Sequence, residues 1–153
     1  MRFILAAFMV RRCRVAADEG GAREMSDLLV KAGDDTARMD THEVVAYLLA
    51  RLGPTLTAYI ASSRSRAMPA RWATPPGERN HAEPSIEKAR RLTATRTVFW
   101  LIEEAENDQV ARNWLISANP RLDGITPAQL LREDQFGAVF RAADAFITDT
   151  YHA

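Results

Sequence analysis

Cysteine is almost missing from this chain. Cys13 stands alone among 153 residues, so neither an internal disulfide nor a cysteine-based zinc cage can form, and the sequence reads as a soluble protein of a reducing compartment, the cytoplasm. Histidine is nearly as scarce. His42, His81 and His152 lie on separate segments, with no pair at the one-turn spacing that holds a metal on a helix, so no metal site is expected. Net charge is absent too: twenty Lys plus Arg balance twenty Asp plus Glu, which excludes a uniformly basic nucleic-acid coat and a strongly acidic mimic. No apolar run approaches the ~20 residues that a bilayer-spanning helix needs. The run from Phe3 to Val10 has only Arg2 before it and Arg11, Arg12 and Arg14 after it, the reverse of signal-peptide polarity, and export is rejected. Strand alternation and internal repeats of 20–50 residues are also missing.

What remains is the size of one ordinary domain, with 47% hydrophobic and 26% charged residues, a globular composition. Residues 11–39 mix charges with Gly20, Gly21 and Gly33 and show no sustained apolar stripe. Residues 1–39 are therefore expected to form a loosely ordered arm, with the folded body starting near Asp40. Met25 and Met39 stand as alternative translation starts.

Beyond Asp40 the chain is punctuated as a series of helices, each opened by a capping residue and closed by glycine or proline. Asp40 and Glu43 form a capping-box pattern; Val44, Val45, Leu48, Leu49 and Leu52 then recur at helical spacing up to Gly53. Pro54 suits the first turn of a second helix carrying Leu56, Tyr59 and Ile60, broken at Ser62 and Ser63. A third helix is expected over 64–73, bearing Arg64, Arg66, Arg71 and Trp72, although Pro69 in a helix interior costs about 3 kcal/mol and requires a late start or a bend. Three short helices with tight turns suggest a helix-turn-helix over 40–96. Residues 74–84 contain three prolines and one glycine and form a loop. Ser85 then caps a long helix reaching about Glu106, densest in apolar residues from Val98 to Ile102, and Asn107 or Asp108 caps the next. After a turn at Leu122-Asp123-Gly124, Thr126-Pro127 opens a short helical segment, and Phe136, Val139, Phe140, Ala143, Phe146 and Ile147 mark a last helix. The fold class is all-α.

The neutral total hides a division of charge. Residues 54–96 hold Arg64, Arg66, Arg71, Arg79, Lys88, Arg90, Arg91 and Arg96 against Glu78, Glu83 and Glu87, a balance of +5. Residues 97–153 hold Arg112, Arg121, Arg132 and Arg141 against Glu103, Glu104, Glu106, Asp108, Asp123, Glu133, Asp134, Asp144 and Asp149, a balance of −5. Two faces for two partners is one reading; chance segregation of solvated helix faces is the other. Catalysis is poorly supported. The acidic run Glu103, Glu104, Glu106, Asp108 lacks a paired partner or phosphate loop and reads as an exposed helix end. Cys13 has no nearby base, and Trp72, Trp100 and Trp114 read as core anchors. No catalytic residue and no cofactor are assigned.

One stretch carries more information. Val110-Ala111-Arg112-Asn113-Trp114-Leu115, then Asn119-Pro120-Arg121-Leu122-Asp123-Gly124, then Thr126-Pro127-Ala128-Gln129-Leu130-Leu131, and finally Gly137 with Val139, resemble the toxin-binding domain of the Xre/MbcA/ParS antitoxin family. Upstream, Leu52-Gly53-Pro54, Tyr59 and the arginine-rich segment ending Arg71-Trp72 resemble the Xre-like helix-turn-helix that precedes this domain. The likeness covers roughly 40–150 and is strongest in the last third. Two departures bear on DNA contact: the proline-rich loop at 74–84 is longer than the family's connection, and Pro69 falls in the expected recognition helix.

The resemblance implies an antitoxin that neutralises a RES-domain toxin, a protein that consumes NAD, and that dimerises within a hetero-oligomeric complex and represses its own operon through operator DNA. Residues 97–153 would form the toxin-binding domain, with Asp123, Arg132, Glu133, Asp134, Arg141, Asp149 and Tyr151 at the contact and the segment from Arg132 to Ala153 obstructing the toxin's NAD site. Arg64, Arg66 and Arg71 would face DNA. Independently of any family, Asn119-Pro120 and Leu122-Asp123-Gly124 make a stiff bend whose polar groups can be satisfied internally, a scaffold rather than a catalyst. The competing reading is a stand-alone helix-turn-helix regulator whose C-terminal domain only oligomerises.

Overall fold

A computed structural model describes the backbone of residues 20–152 and the side chains of residues 27–149. Among the described residues there are α-helices and one 3-10 turn but no strand, and the fold is all-α. The helices are α1 (Gly20–Ala37), α2 (Thr41–Ile60), α3 (Met68–Ala73), α4 (Ile86–Ala105), α5 (Asp108–Ile116), α6 (Pro127–Arg132) and α7 (Phe136–His152).

The capping logic is realised at several helix starts. The Asp40 N–H donates to Glu43 Oε2 at 2.8 Å before α2, and the Asn107 side chain accepts from the Val110 N–H at 2.9 Å before α5, each satisfying a donor that the helix itself leaves open. The break at Gly53-Pro54 is also real. Gly53 takes φ 77° inside α2, a conformation open to glycine, and Pro54 has no N–H to continue the ladder. The end of α2 is a Schellman turn: the Ser63 N–H donates to Ala58 O at 2.8 Å and the Ser62 N–H to Tyr59 O at 3.0 Å, with Ser62 left-handed at φ 55°.

Helix α4 is the axis of the fold, packed by α1, α2, α5, α6 and α7. From Ala94 to Phe99 every residue is buried, because neighbours cover it on all sides. The hydroxyls of Thr95 and Thr97 are accommodated there by donating to Arg91 O and Thr93 O, one turn back. Phe99, fully buried, meets Tyr47 of α2 edge-on at 6.2 Å.

Two expectations require correction. The arm expected over 1–39 contains α1 in its second half, while residues 1–19 lie outside the described residues. Leu28, Leu29, Ala32 and Thr36 share the packed face; one is small and one polar, so no apolar stripe is visible in the sequence, yet Ala32 and Thr36 are buried. Thr36 Oγ1 accepts from Arg96 Nη1 at 2.7 Å and lies 3.0 Å from Thr97 Oγ1, which shares its one proton between Thr36 and Thr93 O, so the face is matched to polar groups of α4. The third helix starts late: α3 begins at Met68, and Pro69 sits in its first turn, where a missing N–H costs nothing. Arg64 and Arg66 therefore belong to the turn before the helix.

Candidate functional site

The corner between α5 and α6 is built largely from local bonds. The Asn119 side chain accepts from the Arg121 N–H at 2.9 Å, and its carbonyl accepts from Leu122 N–H at 2.9 Å and Gly124 N–H at 3.0 Å. Asp123 and Gly124 are both left-handed, at φ 54° and 79°, which reverses the chain within two residues. Thr126 Oγ1 accepts from the Gln129 N–H at 3.2 Å to start α6, and Leu122, Ala128, Leu130 and Leu131 anchor the corner in the core. Arg112, on the exposed side of α5, donates to Arg51 O of α2 at 3.2 Å.

Between this corner and α7 runs a groove of about 550 Å3, walled by Trp114, Asn119, Pro120 and Phe146 and bordered by Arg121 and Asp149. Trp114 and Phe146 lie tilted against each other at 6.2 Å. Arg121 Nη2 donates to Asp149 Oδ2 at 2.5 Å across the rim, with both side chains more than half exposed. An ion pair so exposed contributes about 0–1 kcal/mol, so this rim can open to a partner at small cost.

The residues expected to contact a toxin do not form one cluster. Asp123 is exposed in the reversal, Arg141 is exposed on α7, and Glu133 is exposed while accepting from Gln129 Nε2 at 3.0 Å. Arg132 and Asp134 are turned to other work. Arg132 Nη1 donates to Tyr59 O at 3.0 Å, with its guanidinium 4.7 Å from the Tyr59 ring. Asp134, left-handed at φ 62°, accepts a bidentate pair from Arg91 at 2.9 and 2.6 Å. Hydrogen bonding from Arg91 holds the Asp134 carboxyl below the usual carboxylate range. These two arginine contacts bolt the α6–α7 junction to the end of α2 and to α4. Asp149 belongs to the groove rim, and the side chain of Tyr151 lies outside the described residues.

The expected DNA-facing arginines are divided as well. Only Arg71 lies on α3, and its Nε donates to Asn80 O at 3.2 Å. That contact, with the Ala82 N–H donating to Arg71 O at 3.1 Å, folds the 74–84 loop back onto α3. His81 completes the clasp, its Nδ1 2.6 Å from Thr74 O and its Nε2 2.8 Å from Glu83 Oε1. Only an imidazolium can donate to both acceptors, and the hydrogen bond to the Thr74 carbonyl, then that to Glu83, raise its pKa above the ordinary 6.5. Since the closed loop binds the proton more tightly than the open one, the clasp is complete below about pH 6.5 and is lost as the pH rises through the raised value. A proton-NMR titration of His81 is expected to give a midpoint above 6.5 that falls back in Glu83→Gln; a midpoint at or below 6.5 in the parent would show the clasp to be absent in solution.

Glu103 also departs from expectation. Rather than an exposed helix end, it is a largely buried acceptor for the Tyr47 hydroxyl and for Arg51 Nε at 2.7 Å. Burial, then the bond to Glu103, pushes the Tyr47 hydroxyl pKa up. Glu104, Glu106 and Asp108 are exposed. Sequence reasoning missed this network because Tyr47 and Arg51 stand 56 and 52 residues from Glu103. It also missed Arg121 as a site residue, although Arg121 lies inside the quoted motif.

Among the described residues no group of three or more His, Cys, Asp or Glu side chains is placed to hold a metal, and no helix is long and apolar enough to cross a membrane. Comparison with family models, with curated proteins and with solved structures finds no match for this chain.

Proposed function

We propose that this chain is the antitoxin of a toxin–antitoxin pair, acting in the cytoplasm by binding a RES-domain toxin that consumes NAD, and repressing its own operon as a dimer bound to operator DNA. The observation that carries the reading is the ordered sequence from Val110 to Val139, whose corner is rigid, internally satisfied and edged by an apolar groove. A groove holding Trp114 and Phe146 behind a weak ion pair suits a protein partner that inserts an apolar side chain. The acidic balance of residues 97–153 suits a toxin site that binds a dinucleotide, because such a site presents cations and hydrogen-bond donors to pyrophosphate. Glu133, Arg141 and the end of α7 then lie toward the toxin, with Asp149 freed from Arg121, while Arg132 and Asp134 hold the α6–α7 junction in place behind them.

The second reading, a stand-alone regulator whose C-terminal domain only oligomerises, is favoured by the basic balance of residues 54–96. Co-expression decides between them. Co-expressed with a RES-domain protein encoded beside it, the chain is expected to restore growth and to co-purify as a complex; a neighbourhood that encodes no such protein counts against the antitoxin reading. Failure to bind or rescue from that protein removes the antitoxin reading and leaves the regulator.

A further inference from the structure

A second groove, of about 410 Å3, lies where the turn after α2 meets the first residues of α4. Ser62, Ser63, Arg64 and Ser65 line it from the turn, and Glu83, Ser85 and Lys88 from the other side. Trp72 forms part of its wall and is itself 2% exposed, so the groove stands on a fixed base.

The charges around this groove are unevenly committed. Among the described residues, neither Arg64 nor Lys88 takes part in an ion pair, whereas Arg91 is held by Asp134 and Arg71 is drawn to Asn80 O. Neither nearby acid closes an ion pair with them: Glu83 meets His81, and Glu87 is held low in pKa by its own backbone N–H, then the Ser85 hydroxyl, with the charges of Lys88 and Arg91 adding through space. Lys88 also stands in the first turn of α4, where the helix dipole disfavours a cation. Two cations thus face a groove of serine hydroxyls within the segment of balance +5.

We propose that this groove seats the phosphate backbone of duplex DNA, with Arg64 and Lys88 as its cationic contacts and the Ser65 hydroxyl as a donor, the Ser63 hydroxyl being turned inward to the Ser65 carbonyl at 3.1 Å. Arginine, lysine and serine are the side chains that contact phosphate oxygens, fixing a protein's register on a duplex without reading bases. The inference rests on the DNA-binding part of the reading above and relocates its contact. The backbone is gripped by the turn before α3 and the start of α4, while α3 itself, six residues long and tied to the 74–84 loop through Arg71, is not the main phosphate contact. Lys88 belongs to the basic segment 54–96 but is not singled out by the sequence, because it falls on a different helix from the arginine-rich stretch.

The test is fluorescence anisotropy of the full chain with a labelled duplex from immediately upstream of its coding sequence and a scrambled duplex of equal length, across a range of salt. Arg64→Gln with Lys88→Gln is expected to weaken binding to both duplexes by about tenfold or more and to lower the salt slope by about two, one for each lost phosphate contact. Arg71→Gln is expected to bind as the parent does. Both Arg64 and Arg71 are exposed, and matched melting curves confirm that the variants fold. Parent-like binding by the double variant, or a loss confined to Arg71→Gln, would overturn the groove and leave DNA binding in place. A parent that binds neither duplex would overturn the groove and DNA binding together, without touching the toxin reading, which co-expression judges.

Discussion

Replacing Phe99 with alanine is expected to lower the stability of the fold by about 3–5 kcal/mol, the range for deleting a buried aromatic side chain. Phe99 is fully buried at the middle of α4 and packs edge-on against Tyr47, so its removal forfeits both the transfer energy of the ring and the contacts of the cavity walls. For a domain of this size each kcal/mol corresponds to about 2–4 °C in melting temperature, and thermal unfolding should show a drop of about 10 °C. Ile86→Ala on the same helix serves as the control. Ile86 is 78% exposed, and its loss should stay within about 0.5 kcal/mol. A Phe99→Ala melt within about 1 kcal/mol of the parent would mean that α4 is not the centre of the core.

A chain starting at Met39 is expected to lose on the order of 3 kcal/mol, the scale of burying a few apolar side chains of α1 against α4. Arg96 makes the effect specific. It is 6% exposed, its Nη1 donates to Thr36, and its guanidinium lies 5.1 Å from the Tyr47 ring and 5.6 Å from the Trp100 ring. No hydrogen-bond partner meets its Nε among the described residues. A cation buried this way depends on every contact that remains, since an unpaired buried charge is costly. Thr36→Val separates the two contributions: it keeps the apolar contacts of α1 and strands Arg96 Nη1, at about 1–3 kcal/mol, while the Thr97 hydroxyl retains Thr93 O. Unfolding curves of the three chains should fall in the order parent, Thr36→Val, shortened chain. If the shortened chain melts with the parent, α1 contributes nothing to the fold.

Sequence and structure agree at most places where the deciding interaction is short-range; Ser85 is an exception, standing at the N-cap of α4 without a side-chain capping bond. The capping pair Asp40 and Glu43, the break at Gly53-Pro54, the Asn107 cap and the reversal at Asp123-Gly124 depend on backbone angles and on bonds reaching four residues or fewer, so they are legible residue by residue. Pro69 belongs with them: its ring excludes a helix interior, and the late start of α3 follows. The apolar groove of the candidate site was half legible, through the motif that contains Trp114 and Asn119-Pro120; its other wall and rim, Phe146 and Asp149, come from α7.

The amino-acid sequence alone therefore determined the helical class, the placement of most helices and the stiff corner between α5 and α6, because each is the outcome of local conformational preference. Only the tertiary structure decided that α1 is part of the folded body, that Glu103 serves Tyr47 and Arg51, that Arg132 and Asp134 are bolted to Tyr59 and Arg91, and that Lys88 shares a groove with Arg64. The physical reason is common to all four. Each depends on which polar group of a distant helix arrives opposite a side chain, and that is set by how the helices pack around α4 rather than by any spacing along the chain.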